Sequence, residues 1–291
     1  MLPWNEFKIH CKMQVTIIGV GLIGGSLAIA LKEKGIATHV IGVDANPAHA
    51  QKALDLGLVD EILPLQEAVQ KAALVIIAIP VNATEKIIGG LLNLVDKQVV
   101  MDTGSTKEAL IQQLTDHPKR NRFVTTHPMW GTEYSGPEAA VHGAFQDKAT
   151  VICNKSESDS DAVELVENIY RALGMHIIYM DAAAHDLHAA YVSHISHITS
   201  FALANTVLEK EREEDAIFEL ASGGFESTVR LAKSNPQMWV PIFMQNRENI
   251  LDVLNEHISQ LRKFKSCLEK ENYEYLLELI ENANKIKRII K

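Results

Sequence analysis

A glycine-rich turn near the start of the chain restricts the fold of this sequence more than any other feature. Gly19, Gly21 and Gly24 directly follow a short apolar run and open a second apolar stretch of helical character, with Leu22 and Ile23 between the last two glycines. In this setting the first glycine permits a tight turn, the second lets a pyrophosphate approach the backbone, and the third lets a helix pack closely on a strand. The motif predicts a strand–turn–helix unit that binds a dinucleotide at the helix N-terminus.

An acidic residue at the end of the next apolar run refines this prediction. Asp44 stands twenty residues beyond Gly24, where a carboxylate can accept hydrogen bonds from both hydroxyls of a ribose. The same carboxylate would repel a 2′-phosphate, and no arginine follows it closely. The sequence therefore predicts NAD rather than NADP as the cofactor. Ile79 and Pro80, at the tip of a later strand, are expected to close over the cofactor from the other side.

The first part of the chain alternates apolar runs with helical stretches, a pattern typical of a parallel sheet covered by helices. Most of the runs are continuous in valine, isoleucine and leucine, which indicates strands buried on both faces. Asn46 with Pro47 predicts one helix start, and Ser105 with Glu108 predicts a capping box at another. The predicted strands are 15–19, 39–44, 74–80, 99–102, 123–126, 150–153 and 176–179.

The strand pattern ends at Asp181, and long helical periodicities follow. We predict two domains, a Rossmann-type α/β dinucleotide-binding domain over residues 13–181 and an all-α domain over residues 182–291 for dimerisation and substrate binding. The first long helix, expected over 186–208, is apolar around most of its circumference. Such a helix is buried centrally or against a second subunit, so we expect a homodimer through the helical domain.

Composition excludes several classes of partner. The 291 residues carry a net charge of -9, which opposes binding to nucleic acid. Three widely separated cysteines, Cys11, Cys153 and Cys267, indicate neither a disulfide framework nor a thiolate zinc site, and we expect a reducing, cytoplasmic setting. The apolar segment 15–31 contains four glycines and is short for a membrane span. We read residues 1–12 as an extension that precedes the first strand.

Charged residues near the C-terminal end of the chain form two runs. One is the acidic run 209–215 and the other is the lysine-rich end 285–291. Charge runs of this kind are typical of helix ends exposed to solvent. We therefore assign neither run to a partner site.

His127 is the leading candidate for catalysis. It directly follows the predicted strand 123–126, and in open α/β sheets ligands bind at such strand ends. A neutral imidazole is able to take a proton from an alcohol while a hydride leaves the same carbon. Ser105, at the end of another strand, is expected to hydrogen bond either this histidine or the substrate hydroxyl.

The helical domain offers a cluster of histidines and an arginine. His194 and His197 lie three residues apart and share a helix face, but no nearby carboxylate or thiolate completes a ligand set, so we predict no metal site. One of the pair is expected to bind substrate while the other packs in the core. Arg230 is the candidate anion receptor, because its planar fork matches a carboxylate.

Taken together, these segments resemble the prephenate and arogenate dehydrogenases of tyrosine biosynthesis. The first matching run is common to many dehydrogenases, whereas the runs centred on His127 and on Gly223–Phe225 are specific in combination. The resemblance covers both predicted domains from about residue 13. The matching runs are GVGLIGGS (19–26), DTGSTK (102–107), HPMWGTEYSG (127–136), SHISH (193–197) and ASGGFESTVRLAKSNPQMW (221–239).

The resemblance implies an oxidative decarboxylation in which prephenate is converted to 4-hydroxyphenylpyruvate. Ring carbon C4 gives a hydride to NAD, the ring carboxylate leaves as carbon dioxide, and aromatisation drives the reaction. By resemblance, His127 polarises the ring hydroxyl with help from Ser105, and Arg230 holds a substrate carboxylate. The resemblance also places four residues around the substrate, some of them reaching across a dimer interface: Glu133, His197, Gly224 and Trp239.

This sequence departs from the family pattern at one position, and other functions stay open. Thr106 stands where the family usually has valine. Some relatives continue into a regulatory domain beyond the position of Lys291, so we expect any inhibition by tyrosine to act at the active site. The nearest alternative substrate is arogenate. Glu133 would either pair with its ammonium group or serve as an orienting residue near the keto acid of prephenate. The remoter alternatives are a β-hydroxyacid dehydrogenase, whose lysine motif Lys233 does not match, and a non-catalytic NAD sensor.

Overall fold

The computed structural model describes residues 12–211 and 218–289 of the chain. The expected N-terminal extension lies outside the described residues apart from Lys12, and so does Cys11. The same holds for residues 212–215 of the acidic run and for the last two residues of the lysine-rich end.

The described residues form one eight-stranded sheet with the strand order β3-β2-β1-β4-β5-β6-β7-β8. The central strand β4 is buried on both faces, as its continuous apolar sequence predicts. Three strands end earlier than predicted. The last residues of the predicted strands 15–19, 39–44 and 74–80 lie outside β1, β2 and β4. The strands are β1 Met13–Ile18, β2 Ala37–Val43, β3 Glu61–Ile62, β4 Leu74–Ile77, β5 Val99–Asp102, β6 Phe123–Pro128, β7 Ala149–Cys153 and β8 His176–Met180.

The sheet differs from the all-parallel sheet that the sequence predicts. Strands β1 to β6 are parallel, but β7 runs antiparallel to β6, with His127 opposite Val151. The connection between β6 and β7 contains a single 3-10 turn and no α-helix, and a parallel crossover usually needs a helix of its own. The sequence analysis also missed β3, which has only two residues and is too short to show a periodicity.

Helices cover the sheet and then continue alone to the end of the described chain. Asn46 caps α2 as predicted, with its side chain accepting a hydrogen bond from the N–H of Ala48 at 3.0 Å. The α-helices are α1 Leu22–Glu33, α2 Pro47–Asp55, α3 Leu65–Lys71, α4 Val81–Leu92, α5 Glu108–Leu114, α6 Ser160–Ala172, α7 Ala182–Ala189, α8 Ile195–Glu211, α9 Gly223–Val229, α10 Pro236–Gln245, α11 Arg247–Glu269 and α12 Tyr273–Ala283. Short 3-10 turns lie at 120–122, 137–139, 155–157, 218–220, 230–233 and 284–288.

The first long helix of the C-terminal part begins earlier than the sequence predicts and is not regular. The expected helix over 186–208 starts at Ala182, because the side chain of Asp181 caps it by accepting from the N–H of Ala184 at 2.7 Å. A single π-helical turn, Ala190–His194, separates α7 from α8. Such turns are frequent at functional sites.

The chain separates into two compact units, one up to Asn246 and the other from Arg247 onward. The first unit holds the sheet, α1 to α6 and the helices α7 to α10. Within it, Trp239 and Ile242 of α10 pack with Val81 at the start of α4. The second unit holds α11 and α12. The domain boundary at Asp181 stays a prediction. No helix among the described residues is long and apolar enough to cross a membrane.

Candidate active site

The glycine turn between β1 and α1 leaves no room for side chains at two of its three positions. Gly19 has a φ of +90°, and a Cβ there would lie 2.5 Å from the carbonyl oxygen of Ala78. A Cβ on Gly24 would lie 1.9 Å from the carbonyl oxygen of Gly19. At Gly21 the nearest atom is 3.9 Å away, in Gly136. The tight turn and the close helix packing are therefore present, and the middle glycine faces the space that a phosphate would need.

The N-terminus of α1 is open to an anion. Gly21 is the N-cap residue, and no side chain from the described residues caps this end of the helix. Unpaired N–H groups and the positive end of the helix dipole favour phosphate at such a position. Leu22 and Ile23 are half-buried in the first turn of the helix.

Asp44, Ile79 and Pro80 lie at the same edge of the sheet as the glycine turn. The Asp44 carboxylate accepts from the N–H of Val20 at 3.1 Å and from the N–H of Asn46 at 2.8 Å. A carboxylate has lone pairs beyond the two that these bonds use, so it is able to accept further hydrogen bonds. Ile79 and Pro80 lie in the short connection between β4, which ends at Ile77, and α4, which begins directly after Pro80.

His127 lies near the carboxyl end of β6 and is 9% exposed. Its Nδ1 is 2.9 Å from Nε2 of His185 on α7. Burial lowers the pKa of His127 well below its ordinary value of 6.5, and the neighbouring His185, Lys107 and His194 lower that pKa further. The imidazole is therefore neutral at physiological pH, which is the protonation state that a hydrogen-bond acceptor for an alcohol needs.

The loop after β5 is held by a buried ion pair that the sequence analysis did not identify. Lys107 is fully buried, and its Nζ contacts the carboxylate of Asp102. The same carboxylate accepts from the N–H of Gly104 at 3.0 Å and from the N–H of Thr126 at 3.1 Å. Charged groups are rarely buried unless they are paired and hydrogen bonded, and these contacts join the loop to β6 just before His127.

The capping box predicted for Ser105 and Glu108 does not form. Helix α5 begins at Glu108, and its first N–H groups donate instead to a carboxylate from α7: the N–H of Lys107 at 2.9 Å and the N–H of Glu108 at 2.9 Å, both to Asp186. An aspartate from a distant segment thus replaces the local serine cap. No hydrogen bond of the Ser105 hydroxyl is found in the described part of the chain, so its predicted bond to His127 is not formed.

The residue that departs from the family pattern also makes a polar contact. The hydroxyl of Thr106 donates to Oε1 of Gln245 at the end of α10. Valine at this position would leave that amide oxygen without this hydroxyl donor.

His194 and His197 differ in burial, and the substrate-binding role expected for one of them stays a prediction. His194 is fully buried, and its Nδ1 accepts from the side-chain amide of Asn246 at 3.1 Å. Burial lowers its pKa to about 4, against an opposing effect of the Asp186 carboxylate. The ring of His197 is half-buried and stacks on Trp239 with the centroids 3.4 Å apart. No group of three or more potential ligands among the described histidines, cysteines and acids is arranged to hold a metal ion.

Arg230 and Glu133 form an ion pair between the helices and the loop after β6. Nη1 of Arg230 donates to Oε2 of Glu133 at 3.1 Å, and about half of the arginine side chain is exposed. A hydrogen bond from its own backbone N–H lowers the pKa of Glu133, and Arg230 lowers it further. Gly224 is exposed in the first turn of α9. The structure thus brings Arg230 and Glu133 together, while His197 and Trp239 form a separate stack.

Two side chains that hydrogen bond to the candidate site were missed because their partners are far away in the sequence. His185 is 58 residues from His127, and Asp186 is 79 residues from Lys107. The sequence analysis noted His185 only as one of several histidines. The sequence does contain one signal for these two side chains. His185 and Asp186 are adjacent polar residues that directly follow three alanines at the start of a helix.

The chain is similar to several known proteins along most of its length. The solved prephenate dehydrogenase of Aquifex aeolicus in complex with hydroxyphenyl propionate and NAD+ is 32% identical, covers 97% of this chain and 99% of its own, and superposes with a TM-score of 0.88. Prephenate dehydrogenase of Bacillus subtilis (strain 168) is 32% identical over 94% of this chain and 74% of that protein. Cyclohexadienyl dehydrogenase of Zymomonas mobilis is 30% identical over 95% of this chain and 96% of that protein.

Two family models match in chain order. The model described as "Prephenate dehydrogenase, nucleotide-binding domain" matches residues 27–179, and the model described as "Prephenate dehydrogenase, dimerization domain" matches residues 181–282. The first match includes His127, and the second includes Arg230. The chain belongs to the prephenate dehydrogenase family.

Proposed function

We propose that this protein catalyses the NAD-dependent oxidative decarboxylation of prephenate to 4-hydroxyphenylpyruvate, a step of tyrosine biosynthesis. The observation that carries the proposal is a neutral, buried His127 near the same sheet edge as the glycine turn. Membership of the family favours this reaction over the β-hydroxyacid dehydrogenase and sensor alternatives. A protein that only senses NAD would not need a buried hydrogen-bond acceptor such as His127 beside the position expected for the nicotinamide.

The residues of the turn fit NAD. The uncapped start of α1 provides the proposed phosphate site, and the glycines keep the turn tight and free of side chains there. The residues of this site are Gly19, Gly21, Leu22, Ile23 and Gly24. Bound there, NAD would supply the acceptor for the hydride of ring carbon C4. Further along the sheet edge, the carboxylate of Asp44 binds the ribose hydroxyls and disfavours a 2′-phosphate, while Ile79 and Pro80 cover the opposite side.

His127 acts on the ring hydroxyl of the substrate. Its neutral ring accepts a hydrogen bond from that hydroxyl and stabilises the positive charge that develops on the oxygen as the C4–H bond breaks. The bond between the ring and its carboxylate then breaks, its electron pair completes the aromatic ring, and carbon dioxide leaves. Ser105 lies in the loop that Asp102 and Lys107 hold and is proposed to hydrogen bond the same hydroxyl once substrate is present.

Residues of the helical part bind the rest of the substrate. A guanidinium has five N–H donors, of which Arg230 uses one for Glu133, and the remaining geometry suits a substrate carboxylate. The stack of His197 on Trp239 and the start of α9 at Gly224 are proposed to line the ring and side-chain positions.

Arogenate is the second candidate substrate. It carries an ammonium group in place of the keto group of prephenate, and the ionised carboxylate of Glu133 is a suitable partner for that group. The similar Zymomonas mobilis protein, named for cyclohexadienyl substrates in general, supports this alternative.

We also propose that the protein is a cytoplasmic homodimer. The helical segment exposes large apolar side chains on α8, α10 and the π turn, and such faces are typical of subunit interfaces: Tyr191, Val192, Leu208, Val240 and Met244. The described cysteines, Cys153 and Cys267, are both buried thiols, which suits a reducing compartment.

Initial rates of nicotinamide reduction test the proposal, with prephenate and arogenate each crossed against NAD and NADP. Turnover of prephenate with NAD is expected. Turnover of arogenate alone would keep the mechanism and assign Glu133 to side-chain recognition. Protein that binds NAD but turns over none of the four pairs would contradict the enzyme assignment, and the His127→Asn variant serves as the control for background reduction.

A further inference from the structure

A line of three buried polar side chains ends at His127. Nδ1 of His127 is 2.9 Å from Nε2 of His185, and Nδ1 of His185 is 2.7 Å from Oδ1 of Asp186. The side chains are 9%, 2% and 3% exposed, respectively. His185 and Asp186 lie on α7, whereas His127 lies on β6. The nitrogen of His127 that does not face this line is Nε2.

The acceptor at the far end of the line sets the position of each proton. An ionised carboxylate only accepts hydrogen bonds, and Asp186 accepts from two backbone N–H groups as well as from His185. The proton of a neutral His185 therefore lies on Nδ1, which leaves its Nε2 as an acceptor. His127 then donates from Nδ1, and the lone pair of its own ring lies on Nε2.

We propose that His185 and Asp186 are positioning residues that hold His127 in the tautomer with the proton on Nδ1 and the lone pair on Nε2. This inference rests on the proposed function, because that tautomer matters when Nε2 receives the ring hydroxyl. With the opposite tautomer, an N–H group would face the hydroxyl and could not accept its proton. The hydrogen bond also fixes the ring plane, since the two imidazoles meet edge to face at 69°.

Asp186 is a poor first target for mutation because it also caps α5. Its loss would leave the N–H groups of Lys107 and Glu108 without their partner and would disturb the loop that carries Ser105. His185 is the sharper target, because its ring bonds only to His127 and Asp186 among the described residues. Leucine at position 185 removes the acceptor at similar volume, and glutamine restores an acceptor near the position of Nε2.

Steady-state kinetics with prephenate and NAD separate positioning from packing. We expect His185→Leu to lower kcat on the order of 100-fold or more, with both KM values within about twofold of wild type. His185→Gln should recover most of kcat. His188→Leu is the matched control, since His188 is exposed on the same helix, and it should leave kcat unchanged. A His185→Leu enzyme with wild-type kcat would overturn the proposal.

The tautomer itself is read from ¹⁵N NMR of histidine-labelled protein. The signals that disappear in His127→Asn belong to His127, and they should show a protonated Nδ1 and an unprotonated Nε2 in wild type. A proton on Nε2 of His127 would overturn the proposal even if the kinetics agreed. This measurement needs neither substrate nor turnover, nor a folded His185→Leu variant. It therefore distinguishes failure of the positioning proposal from failure of the proposed function.

Discussion

The buried histidine of the π turn gives the protein a measurable dependence of stability on pH. Burial lowers the pKa of His194 from an ordinary value of 6.5 to about 4, with Asp186 opposing the change and with His185 and His197 adding to it. The unfolded chain binds a proton at this histidine from pH 6.5 downward, whereas the folded chain stays neutral there until about pH 4. The unfolded state thus binds more protons in this interval, so the free energy of unfolding falls as the pH falls through it.

The size of the effect follows from the interval between the two pKa values. At about 1.4 kcal/mol per pH unit, an interval from 6.5 to about 4 corresponds to about 3 kcal/mol, of which about 2 kcal/mol is lost between pH 7 and pH 5. The His194→Asn variant does not titrate, and its Oδ1 keeps an acceptor for the amide of Asn246. This variant is expected to be less stable than wild type at pH 7 but to lose less stability on acidification.

Urea unfolding followed by tryptophan fluorescence measures this difference, because Trp130 and Trp239 both lie in the first compact unit. Between pH 7 and pH 5 the free energy of unfolding of wild type should fall by about 2 kcal/mol more than that of His194→Asn. Ser200→Ala, which removes a buried hydrogen bond to the carbonyl oxygen of Thr228, is a destabilised control that should keep the wild-type slope. Equal slopes for wild type and His194→Asn would refute the reasoning.

Four further substitutions test the cofactor and substrate sites. Gly24→Ala should abolish NAD binding in a fluorescence titration, because its Cβ would lie 1.9 Å from the carbonyl oxygen of Gly19; retained affinity would contradict the turn geometry. Asp44→Ser should reduce the preference for NAD over NADP, measured as the ratio of kcat/KM values, and an unchanged ratio would place selectivity elsewhere. His127→Asn should lower kcat about 100-fold or more with little change in KM, whereas a raised KM at constant kcat would assign it to binding. Arg230→Ala should raise the KM for prephenate about tenfold, a moderate effect because 51% of the side chain is exposed, and an unaltered KM would remove it from the site.

The sheet and the cofactor turn were predictable because their signals are local. Buried strands such as β4 are continuous apolar runs, and the glycines of the turn follow a short motif with fixed spacing, although the atom that a Cβ on Gly19 would meet belongs to the distant Ala78. His127 was predictable for a related reason, since the carboxyl end of a buried strand lies at the edge of the sheet where ligands bind, although β6 continues through His127 to Pro128. The antiparallel direction of β7 was not predictable, because strand direction depends on the route of the chain between strands and not on the composition of the strand.

The polar network around His127 was not predictable from sequence patterns. The start of α5 carries a local capping motif in Ser105 and Glu108, yet Asp186 occupies that place from 78 residues away. A side chain that is already held within α7 can replace a local cap, because it loses less conformational freedom on making the bonds. Lysine is a residue type that is usually exposed to solvent. Only the fold shows that Lys107 is buried and paired with the carboxylate of Asp102.

This network also reconciles two opposing demands on His127. Before reaction the imidazole must be neutral, and burial, together with the nearby cation of Lys107, secures this by lowering its pKa. As the hydride leaves, positive charge moves from the substrate hydroxyl towards the same ring, which burial and Lys107 then oppose. An anion is needed on the far side of the ring, and under the positioning proposal the Asp186 carboxylate, acting through His185, supplies it without contacting His127 directly. A carboxylate bonded directly to His127 would raise the pKa of the resting imidazole, so the interposed His185 allows both conditions to hold.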